Sequence, residues 1–343
     1  MVEKSRYPVH RVCGEYVSNE CVDFLKSEQL YPSEFEPTVI DRFQLTSTTG
    51  RSVIMKLDLG GFGISRYAFD NFLYEIAKSV GVEFMLDTEV TSITRTSDNF
   101  QVIAGGQTIE CALAIGSFGK RSKLDLALGR DFTKKRSPYV GVKYHIRSKH
   151  PSNLIALHNF DGGYCGISRV ENGVSNLCYL VHRDVLRKCG SIQVLEKEVL
   201  TKNPHLRAIF NDSEFLFKAP ETINEISFET KEPVWNNMLM AGDAAGMIAP
   251  LCGNGMAMAI HSAKIISDLV IDYLNRPGVT HQQLQYRYAD EWNRTFAKRL
   301  RFGRIVQNKL FGSRWSSRLA IQIALSSKFI TDQIIKNTHG KPF

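Results

Sequence analysis

VWNNMLMAGDAAGMIAPLCGNGMAMAIHSAKIISDLVIDYLN, residues 234–275, is the most informative stretch of this 343-residue chain. Its pattern predicts a short apolar strand over Asn237–Ala241, a turn at Asp243, a loop of small residues, and then a helix. The helix is predicted over Met256–Leu274 because apolar residues recur there every three to four positions, and Asn254 is a good residue to cap its start. A carboxylate therefore ends a buried strand just before a glycine-containing loop and a helix N-terminus.

These elements have the properties that a flavin cofactor requires. The Asp243 carboxylate can accept hydrogen bonds from the hydroxyls of a ribityl chain. Gly253 and Gly255 have no Cβ atom, so a flat ring can approach the backbone, and the helix start favours the negative charge that a flavin gains on reduction. The alternative is a buried strand packed on a helix, with glycines for close contact. The combination of all these features in one stretch favours the flavin interpretation.

The same stretch resembles a known motif. Gly242-Asp243-Ala244-Ala245-Gly246 followed by Pro250-x-x-Gly253-x-Gly255-Met256 is similar to the second flavin fingerprint of the FAD-dependent monooxygenase and geranylgeranyl reductase superfamily, which has the p-hydroxybenzoate hydroxylase fold. The resemblance implies an α/β (α+β) protein with a Rossmann-like FAD/NAD(P)-binding domain, an antiparallel β-sheet substrate domain and a helical C-terminal tail. It also implies FAD-binding roles for the residues of this motif: Gly242, Asp243, Pro250, Gly253, Asn254, Gly255 and Met256.

The beginning of the chain departs from the family pattern. Val2-Glu3-Lys4 resembles the end of the second Rossmann strand, where the family has an acid, here Glu3, that holds the adenosine ribose. The glycine fingerprint is expected about 20 residues before that acid, so the chain is predicted to be truncated before or within this strand. We therefore expect the chain as written to be poorly soluble or free of FAD. A disordered terminal charge is the alternative interpretation of Glu3.

A second matching segment is His10–Ser18, which resembles the Cys-Gly-Glu segment of the geranylgeranyl reductase-like branch. In that branch the segment passes near the ribityl chain and the flavin. By this resemblance Arg11 pairs with the FAD pyrophosphate. Cys13 either faces the flavin or is a buried structural thiol, and the sequence does not distinguish the two.

A third matching segment is Ser65–Asp70, which resembles the family's Ser-Arg-x-x-Leu-Asp helix, with Phe69 in place of Leu. The resemblance puts Arg66 near the flavin or the substrate, and a solvated arginine in the first helical turn is the alternative. In the family, a backbone group near Val90 contacts the adenine. Phe118 stands where the family has an Asp, so one polar contact of the family pattern is missing.

The remaining pattern predicts the other elements. Strands are predicted within 35–61 and at Val82–Leu86, Glu89–Arg95, Phe100–Ala104 and Thr108–Leu113, and an antiparallel sheet over 134–231 with a hairpin turn at Glu171-Asn172-Gly173. Helices are predicted at Asn19–Leu30, 64–80, Val185–Asn203, His281–Phe302, Arg304–Phe311 and Ser317–Asn337. The predicted domains are an FAD-binding domain (1–34, 62–130 and 232–276), a substrate-binding sheet domain (35–61 and 131–231) and a helical basic C-terminal region (277–343).

The net charge of +8 is concentrated in the C-terminal region. Residues 294–341 contain eleven Lys or Arg and one acid, Asp332. The rest of the chain is therefore close to neutral, which argues against a nucleic-acid partner. The basic helices suit a peripheral contact with a membrane or a lipid-like substrate. A solvated basic face on packed helices is the alternative, and the sequence alone favours it.

Composition sets further bounds. Hydrophobic residues make up 43% and charged residues 23% of the chain, which is ordinary for a globular protein. The seven cysteines are odd in number and contain no C-x-x-C pair, which predicts a reducing, cytoplasmic compartment and neither a disulfide framework nor a zinc site. No apolar run approaches 18 residues, so no membrane-spanning helix is predicted.

The function that these features predict is that of an FAD-dependent oxidoreductase acting on a hydrophobic small molecule. No catalytic residue stands out, because no Ser/His/Asp set, paired carboxylates or metal ligands are apparent, and His261 is interpreted as a packing residue. The bound cofactor is expected to carry the chemistry. By the resemblance, this is hydroxylation or reduction of a double bond, with NAD(P)H as a candidate electron donor. The alternatives are a truncated, non-catalytic remnant of the fold and an NAD-only Rossmann enzyme.

Overall fold

The computed structural model describes residues 1–97, 99–224, 226–250, 253–310, 313–326 and 339–343. These residues form a mixed α/β structure with one nine-stranded sheet, two three-stranded sheets and helices that follow each of them. The predicted α/β class with a large sheet and a helical C-terminal region is confirmed.

The nine-stranded sheet contains residues from both parts of the predicted substrate domain. The first three strands of the chain belong to it: β1 (Tyr16–Ser18), β2 (Thr38–Thr46) and β3 (Ser52–Gly63). Six later strands also belong to it: β8 (Tyr139–Arg147), β9 (Leu154–Phe160), β10 (Gly163–Arg169), β11 (Ser175–His182), β12 (Glu214–Phe215) and β13 (Glu221–Asn224). The strands between β3 and β8 in the chain lie in the two smaller sheets described below. In space they run β1-β3-β2-β9-β10-β11-β8-β12, with β13 also paired with β8. The pairing is antiparallel except between β2 and β9, which are parallel.

Local sequence explains much of this sheet. Two strands fill residues 35–61, as predicted, and the β10–β11 hairpin turns at Asn172 and Gly173, which have φ of 55° and 70°. Asn and Gly tolerate this left-handed region, which matches the twist of a hairpin. Because the β2–β3 pair joins the same sheet as β8–β11, the strands of residues 38–63 and those of 139–224 belong to one sheet. The domain boundaries given above stay a prediction.

A three-stranded sheet carries the informative stretch. It consists of β7 (Ile115–Gly116), β14 (Val234–Trp235) and β15 (Met238–Met240), with β15 parallel to β7. The helix α7 (Gly255–Asn275) follows, so the predicted strand and helix are both present, the helix within one residue at each end. The side chains of β15 are buried against apolar residues of α7 and the next helix: Met258, Ile265, Ile266, Leu284, Tyr288 and Trp292.

The third sheet is the meander β4 (Val90–Arg95), β5 (Phe100–Ala104) and β6 (Gln107–Cys111). These three strands were predicted, whereas the prediction of a further strand at Val82–Leu86 is wrong. Only a single parallel bridge, between Val2 and Met85, is formed there. The Glu3 N–H group donates to the Met85 carbonyl over 2.9 Å and the Met85 N–H group donates to the Met1 carbonyl over 2.8 Å, and these two hydrogen bonds form the bridge.

The helices before residue 213 are α1 (Val22–Ser27), α2 (Arg66–Ser79), α3 (Lys123–Ala127), α4 (Arg183–Cys189), α5 (Ile192–Glu198) and α6 (Pro204–Asp212). Those at the three predicted places are shorter than the pattern predicts, and α3 and α6 were not predicted. The single helix predicted over Val185–Asn203 is wrong, because Gly190 has φ of 77° and Ser191 caps a new helix. The helix predicted from Asn19 begins instead with one 3-10 turn.

The C-terminal region is helical, as predicted. It contains α8 (His281–Trp292), a π-helical turn (Asn293–Ala297), α9 (Lys298–Leu310) and α10 (Arg314–Ser326). Helical backbone continues from 281 to 310, so the break predicted after Phe302 is absent, and Gly303 is buried inside α9. The predicted helix ends at Phe311 and Asn337 lie outside the described residues. Within those residues, none of the helices has the length and apolarity needed to cross a bilayer.

Candidate flavin site

The turn after β15 contains the predicted ribityl ligand, Asp243. Gly242 has φ of 55°, and a Cβ atom there would lie 3.2 Å from that of Ala259 in α7. Its N–H group donates to Ser262 Oγ over 2.9 Å, which fixes the turn against the helix. Burial raises the pKa of the Asp243 carboxyl, although Lys231, Arg66 and Lys120 all oppose the shift.

The glycine loop leads directly into α7. Gly253 has φ of 64°, and a Cβ atom there would lie 3.1 Å from the Tyr16 ring, so glycine suits both the backbone and the space. Its N–H group donates to the Pro250 carbonyl over 2.9 Å, which closes a tight turn. Gly255 is the first residue of α7. Leu251 and Cys252, which belong to the same motif, lie outside the described residues.

Asn254 occupies the predicted capping position, but its side chain makes no capping hydrogen bond to α7. It is fully buried and hydrogen-bonds the Glu20 carboxylate instead. Asn254 therefore does not compete for the N–H groups at the start of α7, which are the donors that an anionic ligand can use. Met256 follows in the first turn and packs into the apolar cluster around Phe62 and Phe69.

A small cavity lies between the Asp243 turn and the first turns of α7. Its lining combines the turn, the helix start and two aromatic residues of the C-terminal region: Gly242, Asp243, Gly246, Ile248, Gly255, Met258, Ser262, Trp292 and Phe296. The structure thus brings Gly242, Asp243 and Gly255 together at one opening. His261 packs against aromatic rings nearby, with its ring centroid 5.3 Å from that of Phe296, as predicted.

Cys13 and Arg66 lie close to each other and to this turn. The Cys13 thiol accepts a hydrogen bond from the Glu15 N–H group over 3.5 Å, and burial raises its pKa. The Arg66 guanidinium makes two hydrogen bonds to Asp70, of 2.6 and 2.7 Å, so it is not the freely solvated arginine of the alternative interpretation. Its charge acts on both Cys13 and Asp243. Cys13 and Arg66, predicted from two separate segments, are therefore neighbours, and the Arg66 charge reaches Asp243.

Glu3 and Arg11 pair with each other in this structure. The Arg11 Nη2 atom lies 3.2 Å from Glu3 Oε1 and 3.3 Å from Ser5 Oγ. The two residues predicted to hold the ribose and the pyrophosphate are thus neighbours. Val90, the predicted adenine contact, begins β4 and packs against the core that contains β15.

Sequence reasoning missed a buried ionic cluster around Glu15. The Glu15 carboxylate forms an ion pair with Lys143 and lies 2.6 Å from His145 Nε2, both in β8, and accepts the Arg66 backbone N–H group over 2.8 Å. Burial alone raises its pKa, but His145 and Lys143 outweigh burial and lower it. The Cys-Gly-Glu segment was the available signal, yet its partners lie some 130 residues away in sequence.

Two buried cations near the Asp243 turn were also missed. Lys231 Nζ lies 2.6 Å from the Asp243 carbonyl oxygen and 2.5 Å from that of Lys120. Arg130 Nη1 lies 2.8 Å from the Ala244 carbonyl oxygen and 3.1 Å from Asp125 Oδ1. Neither cation belongs to a recognisable motif, so the sequence carries no signal for them.

The residues present fit FAD. A carboxylate at a strand end suits the ribityl hydroxyls, a Cβ atom at Gly255 would meet no atom nearer than 4.0 Å, so a ring can approach the backbone there, and the open helix start suits anionic groups. The fold and this site together define a flavoprotein.

Comparison with known proteins identifies the family. Residues 63–291 match the family described as FAD binding domain, which is more than half of the chain, so the chain belongs to that family. The resemblance to the flavoprotein monooxygenase and geranylgeranyl reductase superfamily is thereby confirmed.

Individual proteins show more distant likeness. "Conditioned medium factor receptor 1" of Dictyostelium discoideum is 23% identical over 331 residues, covering 86% of this chain and 62% of that protein, so the chain spans less than two thirds of this relative. "Digeranylgeranylglycerophospholipid reductase" of Methanosarcina acetivorans is 22% identical over 313 residues, covering 86% of this chain and 74% of that protein. The solved structure of the flavin-dependent brominase Bmp2 matches with a TM-score of 0.76 at 14% identity, covering 98% of this chain and 86% of that chain.

Proposed function

We propose that this protein is an FAD-dependent oxidoreductase that acts on a hydrophobic small molecule, with NAD(P)H as the electron donor. The observation that carries the proposal is the junction of the Asp243 turn, the Gly253–Gly255 loop and the start of α7, with Cys13 and Arg66 beside it. The relative named as a reductase of a digeranylgeranylglycerophospholipid supports a long, apolar substrate and favours double-bond reduction over hydroxylation.

The roles of individual residues follow from their chemistry. Asp243 would accept hydrogen bonds from the ribityl hydroxyls, and the N–H groups at the start of α7 would face the pyrimidine side of the ring system. FAD, when bound, supplies the hydride-transfer or oxygen-activating chemistry. Cys13 is held as a neutral thiol, because burial raises its pKa, and can act as a proton donor or a packing group. Arg66 supplies a fixed positive charge, since Asp70 restrains it.

The test is purification followed by flavin and substrate assays. The folded protein should show flavin absorbance after incubation with FAD, and anaerobic NADPH or NADH should bleach it. If the enzyme is a reductase, adding a polyprenol such as geranylgeraniol without oxygen should restore the flavin absorbance. The product should then contain two more hydrogen atoms than the polyprenol that was added. Oxygen-dependent gain of one oxygen atom would indicate hydroxylation instead. A folded protein that takes up no FAD at all would overturn the proposal in favour of a non-catalytic remnant.

We also propose a peripheral contact with an anionic membrane through α9 and α10. The exposed side of α10 combines Trp315, which is 75% exposed, with Arg318 and Leu325, at helical spacing. The exposed side of α9 likewise combines Arg301 with Ile305. Aromatic and aliphatic side chains beside arginines are typical of helices that lie in a lipid interface, whereas a merely solvated basic face does not need them.

A further inference from the structure

Two buried cations hold consecutive carbonyl groups of the turn that contains Asp243. Lys231, which is 3% exposed, donates to the carbonyl oxygen of Asp243, and Arg130, which is fully buried, donates to that of Ala244. Both cations lie over the Phe132 ring, whose centroid is 4.5 Å from Lys231 Nζ and 5.2 Å from Arg130 Cζ. We call Arg130, Phe132 and Lys231 the cationic brace.

Burial of these charges has a free-energy cost that a purely structural contact could avoid. An unpaired buried ammonium is strongly disfavoured, and an apolar side chain of similar size would fill the same space without that penalty. Arg130 has a buried carboxylate partner, Asp125, at 3.1 Å. The hydrogen bonds found for Lys231 run instead to two carbonyl oxygens, of Asp243 and Lys120. The two carbonyls therefore gain charge-assisted hydrogen bonds, which are stronger than neutral ones.

The brace also connects separate parts of the chain. Lys231 lies in the segment between β13, in the nine-stranded sheet, and β14, beside β15. Its second acceptor, Lys120, follows β7, and Arg130 also donates to the Glu232 carbonyl over 3.1 Å. Hydrogen bonds of Lys231 and Arg130 thus connect the Asp243 turn to two other parts of the chain. One is the segment between β13 and β14, and the other is the segment that follows β7.

We propose that Arg130 and Lys231 are positioning residues for FAD binding. By holding the Asp243 and Ala244 carbonyls, they fix the turn from which the Asp243 side chain would reach the ribityl hydroxyls. Neither residue lines the small cavity beside the turn, so they act through the turn and not on the cofactor directly. This proposal rests on the proposed function in that FAD is taken as the ligand of the turn.

The experiment compares Lys231→Met, Lys231→Arg and Arg130→Met with wild type. FAD affinity is measured by fluorescence titration, and hydrogen exchange is measured in the apo protein. Lys231→Met and Arg130→Met should weaken FAD binding about tenfold, equivalent to ~1.4 kcal/mol, while Lys231→Arg should restore most of the affinity. The amides of Ala244, Ala245 and Gly246, which bond to the Ala241 and Gly242 carbonyls, should exchange faster in both Met variants.

A matched control removes a cation of the same type elsewhere. Arg169 donates to the carbonyl oxygens of Gly173, over 2.9 Å, and Ser148, over 3.2 Å, at the end of the β10–β11 hairpin. Arg169→Met should leave FAD affinity and exchange at 244–246 unchanged. If it weakens FAD binding as much as Lys231→Met, the brace has no specific role and the proposal is wrong.

A pH series tests the same idea without any substitution. Burial lowers the pKa of Lys231 to about 8. The carboxylates of Asp243 and Asp125 raise this pKa, and the guanidinium groups of Arg130 and Arg121 lower it. The neighbouring Lys120 ammonium also repels the charge of Lys231. The FAD affinity of the wild type should therefore fall as the pH rises through about 8. Lys231→Arg should remove this dependence because an arginine stays charged. Burial also lowers the pKa of Lys120 to about 8, so Lys120→Arg is measured alongside, and a slope that persists in Lys231→Arg but disappears in Lys120→Arg would contradict the proposal.

The results separate the two proposals. If the wild type binds no FAD, the proposed function fails, yet hydrogen exchange at 244–246 still tests the brace. Unchanged exchange in both Met variants overturns the brace even if the protein binds FAD. A lower melting temperature with wild-type FAD affinity likewise overturns it, because the two cations would then only support the fold. If the Met variants do not fold, the pH dependence of wild type and Lys231→Arg decides.

Discussion

At the scale of single residues, Asp243 shows how a ligand-binding group can oppose stability. Its carboxyl pKa is raised by burial, which outweighs the nearby cations. A carboxyl whose pKa is higher in the folded than in the unfolded state stabilises the fold only at low pH, and that contribution is lost as the pH rises through the folded-state pKa. Above that pKa the charged Asp243 is thus retained at a cost to the apo protein.

Replacement of Asp243 should therefore separate binding from stability. Asp243→Asn and Asp243→Ala should reduce FAD affinity by about tenfold or more, because the charge-assisted hydrogen bonds to the ribityl hydroxyls are lost. The apo proteins should unfold at the same or a higher denaturant concentration at pH 7. Isothermal titration with FAD and urea unfolding of the apo form measure the two effects. Equal losses of affinity and stability would indicate that Asp243 is a structural residue.

At the scale of elements, Glu15 joins three parts of the fold. Its carboxylate binds Lys143 and His145 of β8 in buried contacts and accepts the first N–H group of α2 in a partly buried one. Because the pKa of Glu15 is lowered in the fold, its stabilisation is present above the unfolded value of about 4.3 and is lost as the pH falls through the folded value. This cluster sets the position of α2, and hence of Arg66, relative to the large sheet.

Glu15→Gln should lower the free energy of unfolding by about 3–5 kcal/mol, because it leaves the Lys143 ammonium buried without its carboxylate. It should also flatten the acid side of the stability profile. The control is Glu214→Gln, which breaks an exposed pair with Arg147 and should cost less than about 1 kcal/mol. Urea unfolding from pH 3 to 7 measures both variants. A Glu15→Gln effect no larger than that of Glu214→Gln would show that the cluster does not stabilise the fold.

At the scale of the whole molecule, the sequence predicts those features that arise from contiguous patterns. The Asp243 turn, the Gly253–Gly255 loop and α7 lie within about 40 residues, and hydrophobic spacing with glycine chemistry determines them. The β8 partners of Glu15, and the Arg130–Ala244 and Lys231–Lys120 contacts of the cationic brace, are brought together by tertiary folding from segments more than 100 residues apart. Single charged residues in such segments carry no periodic signal, so only the structure reveals them.

The membrane proposal also belongs to this scale, because it concerns how the molecule as a whole meets a lipid surface. Binding to anionic vesicles should be measurable at low salt and fall steeply as salt is added, since exposed charges are screened beyond about 10 Å at 0.1 M. Trp315→Ser should weaken the binding and Tyr286→Ser, at another exposed aromatic residue, should not. Absence of vesicle binding at low salt would leave only a solvated basic face.

The parallel pairing of β2 with β9 also bears on how the chain is made. Asp41 and Asn153, which meet at one end of this pairing, are 112 residues apart. A ribosome adds about 5–20 residues per second, so the β2–β3 hairpin waits roughly 5–20 s for its neighbour to be synthesised. During that interval its free edge can pair with other nascent chains. Cotranslational misassembly, relieved by chaperones or slower growth, is therefore the expected failure mode during overproduction of this protein.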